Sequence, residues 1–501
     1  MRVSWCQNER FWLACGLALG IVVVVFQFHY RIGQAAPAGG SATILSPARV
    51  GGATGYNNER DADTYPAVAY YVATGRYLAV WMSPRNAGSS SDGFDVYGVF
   101  LSRTGQPVGN EFRISDSNTA ARNGLPTVAA GNGEFAVAWA ARGTACQIYV
   151  QRVTDTASRS DRLLASGASP RHSPHLVYNA VRQRYVVVYV EGDDYLPKTF
   201  FGAQTADCGS NVSSTSSIKA MEFYFSGESP ITGTPVDVSD VSSGAFRPRL
   251  VYSAGLNQYL AAWEDRRNAG GQPYRFDVYA QRLGATLTRS ESNLSLATGG
   301  DYTNYDTTAA WTPRPVVAAS SSQFLAAWFT RETQDVAVIW SAMGCLVPGS
   351  GTPGTSFTIA QMPFAQSHTG QSPAGFLAAV YSSSAQEYMV GVTTYLESLW
   401  GYLSLALVQR VSNTGQLLKM DRTAQSQPGV GYSVDYENED QVAVGMAVNP
   451  AAGCGAPDYL MLYSKHTPNK PAQDLDVWGV GVQMEDTAQN VKCAYLPLIK
   501  R

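Results

Sequence analysis

The chain has 501 residues, 45% of them hydrophobic and 15% charged, with 47 Gly, 25 Pro, 28 Tyr, 18 Phe and 10 Trp. That composition excludes a disordered or collagen-like chain. A formal net charge of -3, a sequence pI of about 6.0 and the lack of any Lys/Arg run exclude nucleic acid or an anionic membrane surface as the main partner.

Residues 11–30 (FWLACGLALGIVVVVFQFHY) carry no formal charge and are flanked by Arg2, Arg10 and Arg31. A signal peptide has an apolar core of about 7 to 15 residues, whereas a spanning helix needs about 20. The length is that of an anchor, while Gly33, Gln34 and Ala35 offer a small-x-small cleavage site. Residues 1–35 therefore read as an N-terminal hydrophobic helix, either a cleaved signal peptide or a retained signal anchor. Both readings place the remaining chain outside the cell or on its surface, with the membrane touched only through this segment. Beyond it stand Cys146, Cys208, Cys345, Cys454 and Cys493. Five scattered cysteines predict one or two incidental bridges rather than a disulfide scaffold, with their pairing open. The absence of C-x-x-C and of paired Cys/His spacing excludes a zinc site.

In chain order, the first strand is expected near residues 42–45. A Pro66-led strand then runs to Tyr70, a turn at Thr74 and Gly75 leads into 77–81, and a long polar loop leads into 95–100. A Gly turn at 104–106 precedes a fourth strand at 111–114. This is a four-stranded antiparallel meander. Its second strand recurs as YLAVW (77–81), FAVAW (135–139), YVVVY (185–189), YLAAW (259–263), FLAAW (324–328), YMVGV (388–392) and YLMLY (459–463). The opening proline recurs as Pro126, Pro174, Pro248, Pro315 and Pro373, at the start of a strand where no N–H is needed. The third strand recurs as QIYVQR (147–152), DVYAQR (277–282) and DVWGV (476–480). Such units predict an all-β seven-bladed β-propeller of four-stranded antiparallel blades over residues 36–490, followed by a tail at 491–501. The strand near 42–45 is expected to complete the seventh blade, with the segment 491–499 as its competitor.

In a propeller, the loop between strands two and three shares a face with the loop into the next inner strand, so loop-borne function gathers there. Blades 1 and 4 carry near-copies of the first loop, WMSPRNAG at 81–88 and WEDRRNAG at 263–270. These contribute Arg85, Asp265 and Arg267. Other blades place Arg142, Asp193, Asp194 and Arg331 with Glu332 beyond the same marker. The loops leading into inner strands add Arg171, His172, Arg247 and Arg314, aimed at the central channel. Several guanidiniums around one mouth suit a carboxylate, a sulfate or an anionic sugar. The candidate ligand-binding set is Arg85, Arg142, Asp193, Asp194, Arg247, Asp265, Arg267, Arg314 and Arg331. A second reading makes Arg85 and Arg267 loop staples that pair with Asp95 and Asp277.

GSGTPG at 349–354 follows no βαβ pattern and reads as a loop. Asp61, Asp63, Asp193 and Asp194 complete no calcium loop, so only incidental calcium is allowed for, and no cofactor or metal is expected. His172 and His175 lie an odd number apart and read as solvated loop histidines. No G-x-S-x-G, H-E-x-x-H or P-loop occurs, and Cys345 lacks the context of a nucleophile, so no catalytic residue is assigned.

The plan of Pro-led inner strand, aromatic-ended second strand and polar loop resembles sialidase-like and TolB-like propellers over nearly all of residues 42–490. The resemblance implies the propeller fold. Sialidases carry an Asp box, S-x-D-x-G-x-x-W, between strands three and four. Here those turns read SRTGQ at 102–106 and SNTGQ at 412–416, and the Gly-His and Trp-Asp marks of WD repeats are absent. The tail YLPLIKR at 495–501 resembles a short terminal motif of exported bacterial surface proteins. The leading expectation is an exported, monomeric, non-catalytic module that binds an anionic glycan or an envelope protein through its loop face. The alternative is a glycan-active hydrolase or lyase, with an arginine cluster holding the sugar and acid/base groups drawn from Asp193, Asp194, Glu264 or Asp265. A second alternative is a structural surface protein whose loop charges pair locally.

Overall fold

The structure, a computed structural model, describes residues 42–44, 48–51, 64–84, 94–115, 122–142, 146–154, 161–192, 215–240, 244–270, 275–301, 314–334, 337–365, 376–398, 401–418, 426–427, 431–435, 441–450, 457–466 and 475–484. The leader, the tail and the polar loop holding Arg85 lie outside these residues.

Seven antiparallel sheets form, their strands ordered from the inner strand outward in chain order except at the outer edges of blades 6 and 7. Blade 1 runs through Thr64–Tyr71, Arg76–Ser83, Asp95–Leu101 and Pro107–Arg113. The next five inner strands are Arg122–Gly131, Arg171–Asn179, Ala245–Ser253, Val316–Ala319 and Phe376–Ser382. Blade 7 is built from Gln441–Val448, Tyr459–His466 and Leu475–Met484. Its outer edge is taken by the N-terminal strands, with Ala42 opposite Met484 and Ala48 opposite Gly479. The inner strand of blade 7 touches those of blades 6 and 1, so the seven inner strands form a closed ring. The fold is a seven-bladed propeller of four-stranded blades.

The recurring five-residue string is the second strand of every blade. Residues i, i+2 and i+4 of a strand share one face, and the aromatics at the two ends of the string turn toward the preceding blade. Tyr77, Ala79 and Trp81 pack with Leu460, Leu462 and Val477 of blade 7, whereas Leu78 and Val80 pack with Phe135, Val137 and Trp139 of blade 2. The same split repeats around the ring, giving an apolar cluster at each blade junction. With both faces covered, the strand reads as an uninterrupted apolar run rather than an alternating one. Trp81, Trp139, Trp263 and Trp328 are fully buried, and truncating any one to Ala is worth about 3–5 kcal/mol.

The first aromatic of the string also latches blades together. The Tyr185 hydroxyl donates to the Gly131 carbonyl in blade 2 at 2.7 Å, the Tyr388 hydroxyl donates to the Gln323 carbonyl in blade 5 at 3.2 Å, and the Tyr259 hydroxyl accepts from Asn179 Nδ2 in blade 3 at 2.6 Å. A ring stacked on the previous blade's hairpin thus ends in a polar tip that satisfies a buried partner. The turns at Ser102 and Ser412 are twins. In each, the serine hydroxyl bonds a threonine two residues on and accepts the glutamine N–H four residues on, and a glycine at φ 80° completes the turn.

Candidate functional site

The inner strands line the central channel, and in blades 1 to 5 a proline near the start of the strand shapes its mouth. Proline supplies no N–H to a ladder, so an inner strand that keeps one in mid-pairing must bulge around it. The register jumps between Thr64 and Ala67, Gly124 and Thr127, His172 and His175, and Phe246 and Arg249. Each jump encloses an X-Pro pair. The residue before the proline is left-handed in every case: Tyr65 at φ 54°, Leu125 at 54°, Ser173 at 51°, Arg247 at 49°, and Arg314 at 43° ahead of Pro315. Such backbone costs about 1–3 kcal/mol per non-Gly residue and clusters at sites where shape matters. Here it brings the residues on both sides of the proline to the wall of one cavity of about 350 Å³.

Three arginines meet in this wall: Arg247 and Arg249 from blade 4, and Arg314 from blade 5. Glu264, fully buried on the second strand of blade 4, accepts from Arg247 Nη1 at 2.6 Å and from the Arg314 backbone N–H at 2.8 Å. The Arg314 guanidinium lies over the Phe376 ring at 4.2 Å from its centroid. Phe376 in turn meets Tyr65 edge-on at 5.7 Å. Arg249 donates to the Pro248 carbonyl at 3.2 Å. Burial lowers the Arg249 and Arg314 pKa values to about 10 each, with the neighbouring Arg247 charge adding to both. Both stay charged at neutral pH, and the surface they keep is the channel wall. The described lining holds these three cations and no carboxylate.

His175, on blade 3, lines the cavity beside the three arginines as a neutral ring. Its Nδ1 accepts from the Leu250 N–H at 3.3 Å, and its pKa is lowered to about 3 by burial and by the Arg249 charge. The expectation of solvated loop histidines is therefore wrong for both rings. His172 is fully buried, contacting Ser173 Oγ and the Gly192 carbonyl, while the Ser173-Pro174 bulge carries His175 to the channel. Sequence parity missed this because a bulge removes the strict two-residue period.

The other candidates lie elsewhere. Arg267 is held by Asp265 through Nε at 2.9 Å and Nη2 at 2.7 Å, by Asp240 at 2.9 Å and by Asn293 at 3.0 Å, and it covers the Tyr279 ring at 3.8 Å. Asp265 also accepts from Trp263 Nε1 at 2.8 Å. The expected Arg267–Asp277 staple does not form. Asn268 takes Asp277 at 2.7 Å instead, because its short side chain fits inside the turn that the Arg267 side chain leaves. Asp95 takes Arg113 at 3.4 Å and Ser115 at 3.1 Å. Arg171, expected in a loop, is the first residue of its inner strand and pairs with Glu191 at 2.7 Å. Arg142 ends a strand, Glu134–Arg142, and Arg331 falls inside the strand Gln323–Gln334, which extends through the expected loop. Arg85, Asp193 and Asp194 lie outside the described residues.

Of the candidate set, the structure brings Arg247 and Arg314 together and adds Arg249, His175, Tyr65 and Phe376. The strings RPR at 247–249 and SPH at 173–175 held the missing signal, since a proline between two polar residues at a repeated position marks the bulge. Among the described residues no three His, Cys, Asp or Glu side chains converge to hold a metal ion. Cys146 is disulfide-bonded. Cys345 is a buried free thiol whose pKa burial raises to about 11, which keeps it protonated and inert.

No protein-family model matches the sequence, and no curated protein is similar to it. Solved structures are similar in fold. The haemagglutinin-neuraminidase ectodomain of parainfluenza virus 5 is 7% identical over 95% of this chain and 96% of its own, with a TM-score of 0.44. The GH93 α-L-arabinofuranosidase of Fusarium graminearum is 11% identical over 88% and 98%, with a TM-score of 0.42. The Trypanosoma rangeli sialidase is 10% identical with a TM-score of 0.39, and the match takes in 76% of this chain but only 57% of the sialidase. The sheet topology makes the chain a seven-bladed β-propeller with four-stranded blades, and the solved structures similar to it include sialidase-like propellers.

Proposed function

We propose that the protein is an exported or membrane-anchored recognition module that binds an anionic ligand, an acidic glycan or the acidic group of an envelope protein, in its central channel and without catalysis. The observation that carries this reading is the convergence of Arg247, Arg249 and Arg314 on one cavity whose described lining includes no acid. Low-dielectric walls strengthen a charge-assisted bond inside such a cavity. The two candidate acids of the second strand of blade 4 favour binding over bond cleavage. Glu264 is committed to Arg247 and to the Arg314 N–H, and Asp265 to Arg267 and Trp263.

The test is a titration of the full-length protein with acidic and neutral oligosaccharides, with product analysis on the same samples. Binding of acidic chains alone, without new reducing ends and weakened at least tenfold in Arg314→Met, is the expected result. Turnover would replace this reading with a glycan-active enzyme. Equal binding of neutral and acidic chains would remove the arginines from the site.

A further inference from the structure

The positions just after the bulge prolines form a second ring of side chains, one step along from Arg247 and Arg314. In blades 1 to 5 they are Ala67, Thr127, His175, Arg249 and Val316. We propose that His175 is an anion-binding residue, giving a neutral Nε2–H hydrogen bond to an oxyanion that the Arg249 guanidinium of the next blade neutralises. This deepens the anion-binding reading and rests on it.

The tautomer follows from a structural bond that the ring repeats. In blade 2, Thr127 Oγ1 accepts from the Leu176 N–H of blade 3 at 3.1 Å. In blade 3, His175 Nδ1 accepts from the Leu250 N–H of blade 4 at 3.3 Å. Both side chains clamp the following inner strand at the same step of its ladder. An Nδ1 that accepts carries no proton, so the proton of a neutral imidazole sits on Nε2. His175 lines the cavity, and Arg249 occupies the equivalent position on the adjacent blade. A neutral donor beside a cation holds an oxyanion while adding one charge rather than two.

The charged and titratable groups around this pair are Arg247 and Glu264 of blade 4, Arg314 of blade 5 and Tyr65 of blade 1. With the imidazole held neutral down to about pH 3 and the arginines charged to about pH 10, sulfate affinity is expected to stay flat between pH 5 and 8. A ring with an ordinary pKa near 6.5 would instead bind more tightly as the pH falls through that value.

The decisive variant is His175→Thr, which keeps an acceptor for the Leu250 N–H, as Thr127 does for Leu176, and removes the Nε2–H. The full-length protein and this variant would be titrated with sodium sulfate and with sodium acetate at fixed ionic strength, from pH 5 to 8. The proposal expects the variant to bind about tenfold more weakly, the loss of one hydrogen bond to a charged group, at a Tm unchanged at pH 8, where the imidazole is neutral in the folded and unfolded chain alike. It also expects an Nε2–H correlation of the wild-type ring in ¹H–¹⁵N spectra that shifts on anion addition. The sulfate and acetate arms show which oxyanion shape the pair takes. Wild-type affinity in the variant, or wild-type affinity that climbs severalfold from pH 8 to 5, overturns the His175 assignment. If Arg314→Met lowers affinity while His175→Thr does not, the channel reading stands and this proposal alone falls. If the wild type binds neither anion nor acidic glycan, both fall.

Discussion

Blade 4 carries two arginine clusters built from consecutive acids of one strand, and they do opposite things. Glu264 and Asp265 sit side by side on Gln258–Asp265, so their side chains leave opposite faces. Asp265 shares the face of Trp263, accepts the indole N–H and locks Arg267, which Asp240 and Asn293 also hold. That cluster is saturated by acceptors from blades 3 and 4. Glu264 faces blade 5, where it accepts from Arg247 and from the Arg314 backbone, while three guanidiniums crowd a shared cavity. Residue type alone does not separate a staple from a site. What separates them is whether the surrounding chain supplies enough acceptors and whether the remaining donors face enclosed space.

That contrast is sharpest for substitutions that strip one partner from a buried pair. Asp265→Ala removes the acceptor of Trp263 Nε1 and leaves Arg267 short of its main partner. A loss of about 3–5 kcal/mol in urea unfolding is expected, with anion affinity per folded molecule unchanged. A binding defect that outlasts refolding would merge the two clusters into one. Arg247→Met leaves the Glu264 carboxylate buried without its guanidinium and should cost about 3 kcal/mol or more, whereas adding Glu264→Gln should recover most of that. If the double variant is no more stable than the single one, the Arg247–Glu264 pair does not govern the channel wall. Arg314→Met should move stability by less than either, because the Arg314 backbone N–H rather than its side chain serves Glu264, and should appear chiefly as weaker binding.

A further expected effect is spread over pH, small at any one step near neutrality and growing toward acid. A histidine whose folded pKa lies below its unfolded value contributes stability that is present above about pH 6.5 and is lost as the pH falls toward 3. The wild type should therefore lose up to about 1.4 kcal/mol per pH unit in that window, and His175→Thr should flatten that part of the curve. An unchanged acid slope in the variant would mean that other groups set it, working against Glu134 and Glu387. Their pKa values are raised by burial, which acts in the opposite direction by favouring the folded state as the pH falls.

The blade pattern was legible because burial on both faces leaves a simple mark. A strand enclosed between two neighbours must be apolar at every position, and large rings at i and i+4 toward one neighbour leave small residues between them, as in YLAVW at 77–81. Arg247 and Arg314 were legible as charges ahead of an inner strand. Arg249 and His175 were not, since reading a strand by parity puts alternate residues on opposite faces, and the X-Pro bulge cancels that rule within three residues. Arg267 stood among the candidates because its sequence copy at Arg85 suggested a shared loop. Its partners, Asp240 and Asn293, come from elsewhere in blades 3 and 4.

By itself, the sequence determined the repeat, the number of blades and the strand on which each aromatic string lies, because these depend on spacing along the chain and on the apolar character of doubly covered strands. Only the tertiary structure decided which charges meet. The channel is made of one short stretch from each blade, separated in the chain by dozens of residues, and whether a guanidinium there is matched or in excess depends on how those stretches are brought around a common axis. A left-handed residue before the inner-strand proline of blades 1 to 5 shapes that convergence, through a backbone geometry that no residue type announces on its own.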